Sequence, residues 1–131
     1  MDIAKILKSA ESDFIYIINT ALCINLTQYQ IDYLLHDINI PPEIEQYRGT
    51  GTSTVRAIKL CFSKGKPIYG ERLIEKDSRK MSLEYPDVFA IAGSDCLDKK
   101  RFRMFIAYAI RIREQLAETK YKNDLREIKW R

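Results

Sequence analysis

The chain has 131 residues, 46% of them hydrophobic and 31% charged, the size and composition of one folded domain with its own core, which excludes a disordered or fibrous chain. No apolar run approaches the roughly 18 residues of a membrane-spanning helix, and no leader-like segment opens the sequence. Three widely separated cysteines (Cys23, Cys61, Cys96) and a single histidine, His36, exclude a zinc site and a disulfide framework. The expectation is a protein of the reducing cytoplasm, with the cysteines as small buried hydrophobes and no membrane partner. The net charge of +4 is unevenly placed. Residues 97–131 hold eleven Lys or Arg against five Asp or Glu, so this third carries +6 and the first 96 residues −2. Such a basic third points to contact with a polyanion, with solvated charge on a long helix as the alternative.

Residues 2–22 place Ile3, Ile6, Leu7, Ala10, Phe14, Ile17, Ile18 and Ala21 at spacings of three and four, which predicts a helix, with Ser12 and Asp13 as an interruption that would split it in two. Thr27 and Gln30 have the spacing of a capping box and predict a second, short helix with Ile31, Leu34 and Leu35 on its buried face. Pro41 and Pro42 break the chain. The alternation in Glu43-Ile44-Glu45-Gln46-Tyr47 then suits a short strand. After the segment Arg48-Gly49-Thr50-Gly51-Thr52-Ser53-Thr54, an apolar stripe of Val55, Ala57, Ile58, Cys61 and Phe62 predicts a helix that stops before Gly65 and Pro67.

Residues 66–86 are polar, with a short helix expected around residues 71–76. The apolar run of residues 88–93, bounded by Pro86 and Gly93, reads as a strand buried on both faces. Ser94 and Asp95 start a long helix over residues 97–117, with Phe102, Phe105, Ile106, Ala109, Ile110 and Leu116 on one side and Lys99, Lys100, Arg103 and Arg111 largely on the other. A basic tail over residues 119–131 ends the sequence.

Two strand-and-helix units imply an α/β fold: a short parallel sheet flanked by helices, with a helical N-terminal part over residues 1–38, the units over 39–118, and the whole as one domain. Ligands in such sheets lie beyond the carboxyl ends of the strands, so residues 49–54 and 93–95 are expected at the same end. A glycine-rich loop that opens a helix offers free N–H groups and a positive dipole end to an anion. Gly49, Gly51, Ser53 and Thr54 fit a phosphate loop, but Thr52 stands where a Lys is needed.

The order of parts resembles the N-terminal ATPase region of phage large terminases, the motors that package DNA. Three segments carry the resemblance: Leu26-Thr27-Gln28-Tyr29-Gln30, Arg48-Gly49-Thr50-Gly51-Thr52-Ser53, and residues 89–95 with the basic helix after them. The resemblance implies a small, partial P-loop-like domain. It assigns Gln30 to an adenine base, Arg48 to the γ-phosphate, Gly49, Gly51, Thr52 and Thr54 to the phosphate cradle and Ser53 to magnesium, so ATP and Mg²⁺ are the implied cofactors. With Thr52 in place of the Lys and no acidic motif downstream, hydrolysis is not expected. The reading is a truncated, non-hydrolysing terminase-like protein of the host cytoplasm, acting through nucleotide or DNA binding or by engaging a packaging or host complex. Two alternatives are a protein-binding adaptor without ligand chemistry, and a helix-turn-helix protein pairing residues 27–35 with a helix that displays Thr54, Val55, Arg56 and Lys59. About seventeen residues separate those helices where a turn of 3 or 4 is usual.

Overall fold

The computed structural model describes residues 3–45, 51–75 and 78–131. It is mostly helical, with one short parallel sheet of two strands. Helix α1 (Ile3–Leu22) runs unbroken through Ser12 and Asp13. Helix α2 (Gln28–Leu35) starts on the expected capping box: the Thr27 backbone N–H donates to Gln30 Oε1 at 2.8 Å, while the Thr27 side chain receives the N–H of Gln30.

The expected strand over residues 43–47 is overturned where it can be seen, because Pro42–Glu45 forms a helical turn, α3. Proline suits the first helical position, and Glu43 sits favourably at the positive end of the turn. The Ile44 and Glu45 N–H groups both donate to the Pro41 carbonyl. Helix α4 (Thr52–Phe62) follows, with Gly51 as its N-cap and Ser63 as its C-cap.

The run over residues 88–93 is likewise not a strand but lies in a helix, α7 (Pro86–Ala92). Pro86 stands in its first turn with Asp87, Ala90 and Ala92 favour helix, and Gly93, at φ +55°, terminates it. Burial confirms the helical period: Val88 and Ala92, four apart, are fully buried while Ala90 is exposed. The parallel pair forms elsewhere. Strand β1 (Ile68–Tyr69) pairs with β2 (Ile128–Lys129) in the register Ile68 with Ile128. Between them run α5 (Gly70–Glu75), α6 (Ser78–Glu84), α7, a 3₁₀ turn at Gly93–Cys96 and α8 (Lys99–Leu116), the long crossover that parallel strands require.

Helix α4 is the hub of the core. Its Ala57, Ile58, Leu60 and Cys61 pack with Phe102, Phe105, Ile106, Ala109, Ile112 and Leu116 of α8, and with Val88 and Ala92 of α7. Helix α2 packs on the far side of α4 through Tyr33 and Val55. Arg126 ties β2 into this core. Its N–H donates to the Cys61 carbonyl at 2.8 Å, its Nε to the Lys66 carbonyl at 2.9 Å, and its guanidinium pairs with Asp87.

The cysteines divide. Cys61 is buried, Cys96 is half-buried, and Cys23 is exposed, against the expectation that all three pack inside. Burial pushes the Cys61 thiol up to about 12, with a smaller opposing pull from Arg113. No described helix is long and apolar enough to cross a membrane.

Candidate functional site

Residues 46–50, including Arg48 and Gly49 of the glycine segment, lie outside the described residues. The described part of the loop, Gly51 to Thr54, sits at the start of α4. Gly51 has φ +80°, a left-handed conformation that favours glycine, and a Cβ there would come within 2.5 Å of Gln30 Nε2. That nitrogen donates to the Gly51 carbonyl at 3.0 Å. Gln30 is therefore used at both ends, its oxygen capping α2 and its nitrogen fastening α2 to the start of α4.

Two residues further on, Ser53 Oγ donates to both carboxylate oxygens of Asp95, at 3.0 and 3.1 Å. Ser53 and Asp95 thus meet, but not beyond the carboxyl ends of two sheet strands as expected: a helix and a 3₁₀ turn deliver Asp95. Thr54 Oγ1 shares a hydrogen bond of 2.9 Å with the Tyr108 hydroxyl. Arg56 lies on the same turn as Ser53, only 5% exposed. Its guanidinium donates to Ser94 Oγ at 3.1 Å and to Asp95 Oδ2 at 3.3 Å, and pairs on its other side with Glu45 of α3. Gly93 lies against this guanidinium, at a distance where a Cβ would make ordinary contact, so its positive φ and not space is what favours glycine there.

Glu45, Ser53, Arg56, Ser94 and Asp95 thus form one continuous polar junction that joins α3, α4 and the turn before α8. Among the described residues every buried side-chain nitrogen and oxygen has a partner. A buried guanidinium held between two carboxylates is the arrangement in which buried charge is tolerated. Burial also raises the Tyr33 phenol nearby, with Arg56 pulling it part of the way back.

Among the described residues, the groups assigned to a nucleotide are engaged with protein partners in this arrangement. The base-contacting role of Gln30 is taken by its two protein bonds, the Ser53 hydroxyl is directed at Asp95, and Thr54 is engaged with Tyr108. Asp95 also adds a negative charge, only 8% exposed, where a phosphate would need a positive one. Among the described residues no group of three or more His, Cys, Asp or Glu side chains could hold a metal ion. No family model, curated protein or solved structure matches the chain.

The charge missing at Thr52 is not supplied by Lys99 or Lys100, which are exposed at the start of α8. The cation that shares Asp95 with Ser53 is Arg56. Spacing gave no sign of this, because its partners Ser94 and Asp95 are 38 and 39 residues away. The helix-turn-helix alternative displayed this same residue to solvent. It fails on burial, because Val55 and Arg56 are inside and α3 stands between the two helices.

The other predicted surface is where the periodicity put it. Lys99, Lys100, Arg103 and Arg111 are all exposed on α8, and Arg101 is exposed beside them. Among the described residues none of these five is within ion-pair distance of a carboxylate. The remaining cation of the helix, Arg113, is turned inward and donates to the Arg126 carbonyl at 2.6 Å.

Proposed function

We propose that this chain is a non-hydrolysing, terminase-like protein that acts by binding nucleic acid through α8. The observation that carries the reading is the set of five exposed cations, Lys99, Lys100, Arg101, Arg103 and Arg111, free of carboxylate partners among the described residues. From Lys99 to Arg113 the sequence has no Asp or Glu at all. Clustered cations on one helix face are the electrostatic footprint of a polyanion site. The terminase-like part rests on the order of the three segments in the sequence, residues 26–30, 48–53 and 89–95. Gln30, Gly51 and Ser53 have a structural task at the head of α4.

The test is retention on immobilised duplex DNA at about 50 mM salt. With about three to five phosphates neutralised, affinity is expected to fall about 40- to 500-fold between 50 and 200 mM. Replacing Lys99, Lys100 and Arg103 together by Ser is expected to abolish retention. A wild-type chain that passes through the column at low salt would remove the reading.

A further inference from the structure

The arrangement of residues around α8 says more than that the helix is basic. Lys100, Met104, Ala107 and Arg111 follow one another at intervals of four, three and four, which at 3.6 residues per turn forms a single stripe along the helix. This stripe lies opposite the buried face made by Phe102, Phe105, Ile106, Ala109, Ile112 and Leu116. All four of its residues are exposed, and Met104 is 64% exposed, an unusual position for a large apolar side chain. Lys99 and Arg103 flank the stripe on one side and Arg101 flanks it on the other.

We infer that the first two-thirds of α8 enters the major groove of a DNA duplex, with the Lys100–Met104–Ala107–Arg111 stripe toward the base edges. The inference rests on the nucleic-acid reading above. Three features single out this partner among polyanions. First, cations flank the stripe on both sides, Lys99 and Arg103 on one and Arg101 on the other, which matches a groove bordered by two phosphate backbones, where a single anionic strand would be met by one row. Second, Met104 and Ala107 are suited to the apolar methyl group that thymine presents in the major groove, and Arg111 and Lys100 to guanine O6 and N7. Third, the exposed face has no aromatic platform for unstacked bases. Its one aromatic, Tyr108, is half-buried and bonded to Thr54, whereas single-strand binders stack bases on such rings. A-form RNA has a major groove too deep and narrow for side chains to read, so an RNA duplex does not fit. The stretch from Lys99 to Arg111 is about 18 Å long, the reach of one groove contact.

Fluorescence anisotropy of the full chain with a labelled DNA duplex, the RNA duplex of the same sequence and either single strand tests this. The DNA duplex is expected to bind at least about tenfold more tightly than the other two, the scale of one good base-edge contact. Met104→Glu is expected to weaken duplex binding about tenfold or more, and Lys99→Ala to weaken all duplex sequences alike and lower the salt slope by about 1. Protection of guanine N7 from methylation in the complex would place the helix in the major groove. Equal affinity for the RNA duplex, or binding without N7 protection, overturns the groove assignment and leaves nucleic-acid binding standing. Binding to none of the probes overturns both.

Discussion

At the start of α4 two carboxylates, a guanidinium and two serine hydroxyls are folded onto one another, whereas along α8 five cations stand in water without a carboxylate partner among the described residues. The first region satisfies its charges internally and engages the groups that the sequence offers for ligand binding. In the second they are available to something else. A polar residue reports function through whether its hydrogen-bonding capacity is spent, and by that measure the glycine segment is a joint and α8 is a surface.

The comparison is broken most directly at Arg56. Arg56→Ala leaves Asp95 buried without its cation and is expected to cost about 3 kcal/mol in a urea titration, the low end for a broken buried pair because Glu45 is 40% exposed. Gly51→Ala comes next, at about 2 kcal/mol, from the left-handed backbone and the collision with Gln30 Nε2. In a Gln30→Ala background the collision term should vanish, so the two losses should be less than additive. Ser53→Ala removes one hydrogen bond to a carboxylate that keeps Arg56, and about 1.5 kcal/mol is expected. In contrast, the triple Ser substitution at Lys99, Lys100 and Arg103 is expected to leave stability within about 0.5 kcal/mol while DNA retention is lost. If instead the Arg56 and Ser53 variants are as stable as wild type and millimolar ATP raises their melting temperature, the head of α4 is a ligand site after all. The smallest effect concerns the thiols. At pH 8 a thiol reagent is expected to modify the exposed Cys23 and leave Cys61 untouched in the folded chain, since burial holds the Cys61 thiol protonated far above that pH.

Local signals were legible where they were self-contained. The capping box of Thr27 and Gln30, the helix after Gly51 and the faces of α8 depend on residues within a turn or two, and each appears where spacing put it. The two misread strands share a cause. Both segments were judged on apolar alternation or an apolar run, yet each has a proline in its first helical turn followed by an acidic residue. A short apolar stretch does not separate helix from buried strand, and the N-terminal signal decided it. The real sheet is two residues per strand and has no local signal, because its partners are 60 positions apart and are brought together by tertiary contacts such as those of Arg126 and the packing of Ile68 and Ile128.

The sequence alone determined that residues 99–113 form a helix with one apolar and one cationic face, because a period of 3.6 and an absence of acidic residues are written in the chain itself. It also singled out Gln30, Gly51 and Ser53. Only the tertiary structure decided what those three do. Their partners, the carbonyl of Gly51, the carboxylate of Asp95 and the guanidinium of Arg56 behind it, come from different elements folded onto α4. A hydrogen-bonding group looks free in a sequence until the fold shows what already holds it.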